Sequence, residues 1–142
     1  MTEITFYTHA GDLLDVARRV ASKAYGQGRQ VMIYAPDAAV ADAIDGLLWT
    51  TPALGFVPHC RDRDSLAGET PVLIGANADA LRSADVMINL HTEQPPAFAR
   101  FERLVEIVGQ DEVGVEQGRA RWRFYKTRGY PLTQHDMRQA AG

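Results

Sequence analysis

Five of the chain's fifteen basic residues fall in one ten-residue stretch, Arg119-Ala120-Arg121-Trp122-Arg123-Phe124-Tyr125-Lys126-Thr127-Arg128, with three of its twelve aromatics between them. Guanidinium forks pair with carboxylate or phosphate through parallel hydrogen bonds, and a flat ring beside them can seat an apolar anchor. On a helix, at about 100° per residue, Arg119, Trp122, Arg123 and Lys126 share one narrow sector. Val113, Ala120, Phe124 and Thr127 fall roughly 90 to 120° away and are expected to form the buried stripe. The cationic sector suits phosphates or an acidic peptide with an apolar end. The competing expectation is a solvated helix face carrying ordinary charges.

A second group is apolar. Leu47, Leu48 and Trp49 end one predicted helix, and Pro52, Leu54, Phe56, Val57 and Pro58 follow. Trp49 and Phe56, on either side of a Pro/Gly turn, either close over the core or stand exposed as the aromatic anchors of a protein-binding patch.

Catalytic signals are thin. Gly26-Gln27-Gly28 follows a helix and precedes a strand, the reverse of a dinucleotide-binding loop, so it reads as a helix stop. The phosphate-cradling pattern Gly-x-x-x-x-Gly-Lys-Ser/Thr is missing from the sequence. His9, His59, His91 and His135 have no zinc-ligand spacing. His59-Cys60 pairs a base with a thiol in sequence, but adjacent side chains seldom face each other and a lone cysteine is more often packing. His9 and His91 each follow a predicted strand, so a small nucleotide-binding enzyme would use them at its strand-end crevice, although any loop start looks the same. Asp12, Asp15, Asp37, Asp42 and Asp45 read as helix caps and solvated faces. Neither a cofactor nor a metal is expected.

The elements that must position these groups alternate. Ile4–Thr8 reads as a strand, and Asp12 caps a helix running to Gly26. Val31–Ala35 is a second strand, and Pro36-Asp37 opens a second helix through Leu48. Thr51–Glu69 lacks a period and is expected to be a long surface loop. Val72–Gly75 and Val86–Leu90 are buried-type strands joined by one or two helical turns. Pro95-Pro96 should begin a helix with Phe98, Phe101 and Leu104 inward, and Val105–Val108 a fifth strand. The last helix runs from about Asp111 to Arg128, where Gly129 takes the left-handed position and Pro131 prevents continuation. Short strand-helix alternation predicts a single α/β domain, Rossmann-like, with a mostly parallel sheet flanked by helices.

With 142 residues the chain can bury one core without disulfide or metal. A net charge of -3 and a pI near 5.8 disfavour a general nucleic-acid binder, so whatever meets the basic stretch meets it locally. A single cysteine and the lack of an N-terminal apolar run lead us to expect a cytoplasmic protein.

Taken in order, these segments resemble the chi subunit of the bacterial DNA polymerase III holoenzyme. The resemblance is carried by Thr5-Phe6-Tyr7, by Gly28-Arg29-Gln30-Val31, by Leu48-Trp49 with Phe56-Val57-Pro58-His59, and by Arg119–Lys126 before Gly129-Tyr130. It implies a non-catalytic accessory subunit that binds the psi subunit of the clamp loader and the acidic C-terminal tail of single-stranded DNA-binding protein. Association with single-stranded DNA is then indirect. By resemblance, the tail site maps onto Arg119, Trp122, Arg123 and Lys126, and the psi site onto Trp49, Pro52, Phe56, Val57 and Pro58, a surface a helicase could share. One departure is Val115, which stands where the family places a further lysine and leaves fewer charges for the tail. Direct stacking of single-stranded DNA on Trp122, Phe124 and Tyr125 is a third possibility, disfavoured by the net charge.

Overall fold

The computed structural model describes residues 1–50 and 56–140, the last two in backbone only. Strands and helices alternate from the start: β1 (Glu3–Thr8), α1 (Leu13–Gly26), β2 (Val31–Tyr34) and α2 (Ala38–Thr50). Next come β3 (His59–Arg61), β4 (Val72–Gly75), β5 (Val86–Asn89) and β6 (Arg103–Ile107). The chain then forms α3 (Glu112–Thr127), β7 (Leu132–Asp136) and the single turn α4 (Met137–Ala140). Among the described residues seven strands make one sheet in the order β3-β4-β2-β5-β6-β1-β7. Every pairing is parallel. The interior strands β2, β4 and β5 are runs of Val, Ile, Leu and Met covered on both faces, as a parallel sheet requires.

Asp12 opens α1 by accepting from the backbone N–H of Leu14 and Asp15, and Asp37 does the same for Ala39 and Val40 in α2. The apolar stripes of both helices, including Ala17, Ala21, Ile44 and Leu48, pack on one face of the sheet against Ile33, Ile74 and Ile88. The other face, with Phe6, Met32, Leu73 and Leu104, is covered by α3 through Tyr125 and by the irregular connection between β5 and β6, which carries Phe98 and Phe101. From β1 the chain crosses toward β2, and from β6 it crosses the opposite way toward β7, so right-handed connections place α1 and α3 on opposite faces. The carboxyl ends of β6 and β1 therefore part at a topological switch point, where such sheets open a crevice.

Several expectations are corrected. Thr51–Glu69 is not one loop, because His59–Arg61 adds β3 to the sheet edge beside β4. The helix expected after Pro95-Pro96 is one 3-10 turn at Phe98–Arg100: Phe98 and Phe101 are both buried, and β6 begins two residues later. Asn77–Arg82 makes turns without a helix. β7 was missed because its five residues are mostly polar and exposed, as befits an edge. No helix among the described residues is long and apolar enough to cross a membrane.

Candidate functional site

Helix α3 carries the basic stretch. The carboxylate of Asp111 accepts from the N–H of Gly114 at 2.9 Å to start it, and Gly129 ends it at φ 80°. Its buried residues are Gly118, Arg121 and Tyr125, not the expected Val113, Ala120, Phe124 and Thr127. Val113 is well exposed, Ala120 and Thr127 also face solvent, and Phe124 is half-buried against Phe98. The reason lies on β6. Glu106 is fully buried, and Arg121 Nε reaches its carboxylate at 3.0 Å while the Tyr125 hydroxyl donates to it at 2.5 Å. Asn89 donates to both oxygens at 3.0 and 3.1 Å, and Arg121 also donates to the Thr92 carbonyl at 2.7 Å. Burial pushes the Glu106 carboxyl up from its ordinary range, and Arg121, Tyr125 and Asn89 oppose that by favouring the carboxylate. The Tyr125 phenol is pushed far up by burial and the neighbouring carboxylate, so it stays a donor. A β-carbon on Gly118 would lie 2.6 Å from Val108 Cγ2, so glycine lets the helix seat against the end of β6.

This rotation sorts the stretch into roles. Around the helix from the buried stripe, at about 100° per residue, Trp122 and Val115 come first, then Lys126 and Arg119, then Arg123. Trp122 and Val115 are half-buried, and the three cations are exposed. Among the described residues none of Arg119, Arg123, Lys126 and Arg128 is in an ion pair with an acid, unlike most of the chain's other arginines. A cavity of about 270 Å³ opens beside this flank, between α3 and the carboxyl ends of β1 and β7. Phe6, Val108, Val115 and Trp122 form its apolar wall, with the Trp122 ring edge-on to Phe6 at 5.1 Å, and Arg119 lines it as well. Arg123 and Lys126 lie outside the cavity on the same side of the helix. The groove thus pairs an apolar slot of side-chain size with a cationic lip, which suits an anionic chain ending in or carrying a ring. Tyr125 is buried, and Arg128 lies over the Phe124 ring at 3.7 Å, so Trp122 alone of the three aromatics offers a surface for stacking.

His9, read from sequence as part of a strand-end pair, lines this same groove together with Thr8 and Gln134. His91 is two strands away, beyond β6, and packs its ring against Tyr34, so the two histidines are not brought together. A second cavity of about 370 Å³ at the strand ends contains His91, Leu14, Val40 and Ile107. Asp37 and Asp111 cap the helix N-termini beside it, so an anion there would meet their carboxylates, and its walls are mainly apolar. A polar cavity of about 290 Å³ under the carboxyl end of α1 contains Lys23, Arg29 and Arg103. Two of these cations face Glu102 and Glu3 at 3.5 Å, and the helix end beside them is the negative one. Among the described residues no group of three metal-ligating side chains converges.

The apolar patch lies at the far end of the sheet. Trp49, at the end of α2, is 61% exposed and Phe56 is 49% exposed. Their rings meet at 5.2 Å and both rest on His59, at 5.0 and 5.8 Å. His59 is buried, with Nδ1 2.7 Å from the Val57 carbonyl. Its Nε2 is 3.1 Å from Asp45 but out of line for a hydrogen bond. Val57, expected in the patch, is only 5% exposed and packs into the α1/α2 core, so it supports the patch from beneath. Pro58 is half-buried, and Pro52 and Leu54 lie outside the described residues. Cys60, beside His59 in sequence, is half-buried on the opposite face of the sheet, so thiol and imidazole do not meet.

Comparison with known proteins places the chain. A family model described as DNA polymerase III chi subunit, HolC, matches residues 1–133. DNA polymerase III subunit chi of Pseudomonas aeruginosa is 34% identical over 141 residues, covering 96% of this chain and 98% of that protein. The subunit chi of Escherichia coli is 28% identical over 114 residues, covering 80% and 78%. Among solved structures, the C-terminal domain of the DEAD-box protein Dbp5 superposes with a TM-score of 0.64 at 13% identity, covering 96% of this chain and 91% of that one. Saccharomyces cerevisiae Dbp5 bound to RNA and ADP BeF3 gives a TM-score of 0.60 at 14% identity, and the chain spans 41% of its length. At such identity the likeness is one of fold alone.

Proposed function

Because the chain belongs to the DNA polymerase III chi subunit family, we propose that it is a non-catalytic adaptor of that polymerase with two separate docking surfaces. The groove beside α3 takes the acidic C-terminal tail of single-stranded DNA-binding protein, its terminal phenylalanine ring in the slot walled by Phe6, Val108, Val115 and Trp122. Arg119, with Arg123 and Lys126 along the lip, pairs with the tail's carboxylates. Trp49 and Phe56 at the opposite end of the sheet dock the psi subunit, which joins the chain to the clamp loader. Val115 removes one charge from the tail site and adds apolar wall instead.

The observation that carries this reading is the apolar slot with Arg119 inside it and unpaired cations beside it, in a chain whose overall charge is negative. Each charge-assisted contact of this partly exposed kind is worth about 1.5 to 3 kcal/mol, and binding weakens with salt. Calorimetric titration with an acidic peptide ending in phenylalanine, against a bare oligonucleotide, separates tail binding from direct DNA binding. Saturable binding of the peptide with weak, non-saturating binding of the oligonucleotide is expected. The reverse pattern would replace the tail with DNA.

A further inference from the structure

Resting on the reading that an acidic tail occupies the α3 groove, we propose that His9 is a second, proton-dependent cation of that groove. It takes up a proton as the ligand's terminal carboxylate enters, so that binding tightens as pH falls.

His9 follows β1 at the switch point and lines the groove opposite α3. It holds φ 57°, the one positive value at a non-glycine residue among the described residues, in the left-handed region that histidine, like Asn and Asp, enters more often than other side chains do. Here Gln110 Nε2 donates to the His9 carbonyl at 3.2 Å, and Asp136 Oδ1 lies 3.1 Å from Nδ1. Asp136 is itself gripped by Arg138, whose side-chain hydrogen bonds hold its carboxyl well below the usual carboxylate range. Facing an acceptor that stays ionised, Nδ1 carries the hydrogen, which leaves Nε2 as the ring nitrogen with no partner among the described residues.

Neutral, that nitrogen presents a lone pair and repels a carboxylate; protonated, it donates a charge-assisted bond. The charges around it set the sign. Asp136 of β7 lies against Nδ1, and Arg138 is paired with Asp136. Arg119 of α3 lines the same groove. The carboxylates of Asp12 and Asp111 are engaged as caps of α1 and α3 and do not line the groove. A carboxylate entering the groove attracts the protonated ring and not the neutral one, so occupancy and protonation promote each other.

The test is calorimetry on the full chain with the acidic, phenylalanine-ended peptide at about pH 8, in buffers of different ionisation enthalpy, repeated near pH 6, where the peptide's acids remain ionised. The binding enthalpy is expected to vary with buffer by an amount equal to uptake of up to about one proton, and affinity to rise about three- to tenfold at the lower pH. His9→Asn, whose amide tolerates the left-handed backbone and donates without titrating, should abolish the buffer dependence while binding remains sensitive to Arg119→Glu. Buffer-independent enthalpy in the unaltered protein, with binding still lost in Arg119→Glu, overturns the role of His9 and leaves the groove standing. An unchanged proton uptake in His9→Asn overturns it as well. Peptide binding that is absent at every pH, or indifferent to Arg119→Glu, overturns the groove and the proposal together.

Discussion

Arg121 and Arg123 stand two positions apart in the same basic run and have opposite fates. Arg121 is 6% exposed and closes on Glu106, whereas Arg123 projects into solvent without an acidic partner among the described residues. Removing one member of a buried pair leaves the other charge uncompensated, which costs about 3–5 kcal/mol. Removing an exposed, unpaired arginine changes stability by about 0.5 kcal/mol or less. Urea unfolding of Arg121→Ala and Arg123→Ala should therefore separate the two by several kcal/mol, and equal midpoints would show that the Glu106 network holds nothing together. The sequence made Arg119, Arg123 and Lys126 readable as a cationic lip but concealed Arg121. What turns it inward is a single acid in Arg103-Leu104-Val105-Glu106-Ile107, a strand whose other inward residues are apolar, and helical periodicity ranks every arginine as outward. His9 was noticed for its position after a strand but was matched with His91, because strand order, which puts β6 between them, is not written in local spacing.

At the scale of elements, strong patterns were legible and weak ones were not. The limits of α3 followed from Asp111 and Gly129, and the buried strands β2, β4 and β5 from their aliphatic runs. The edge strands β3 and β7 were lost because three residues, His59-Cys60-Arg61, or a polar Leu132–Asp136, show too little periodicity to stand out from a loop. The missed β3 matters, for it fixes Phe56 and Val57 against α2 and splits them into different roles. Phe56, half-exposed beside Trp49, is expected to lose roughly 2 kcal/mol or more of psi binding on change to Ala with folding nearly intact. Val57→Ala should instead lower stability by about 1.5 kcal/mol, through lost burial of two methyl groups. Thermal melts alongside psi titrations check both. Unfolding of Phe56→Ala with binding lost only in proportion would move the interface elsewhere.

The whole molecule keeps its two surfaces apart. The groove lies at β1 and β7 on the face covered by α3, and the aromatic patch lies at β3 beside α2 on the other face. Five strand spacings separate β3 from β1, roughly 24 Å. Between them run β4, β2, β5 and β6, whose residues are mostly buried, so one partner can be seated without touching the other's contacts. The parallel α/β sheet was legible in the alternation of segments, whereas the distance between the surfaces was not, since Trp49 and Arg119 are placed by a strand order that only the folded chain reveals. An adaptor requires that the two sites be independent. The most direct measurement is to titrate one folded variant, Arg119→Glu, with both the acidic phenylalanine-ended peptide and the psi subunit. The two-surface account predicts that peptide binding falls at least tenfold, since about 1.5 kcal/mol or more is lost and attraction becomes repulsion, while psi affinity is unchanged. Unaltered peptide affinity, or joint loss of both partners in a protein that remains folded, would contradict it.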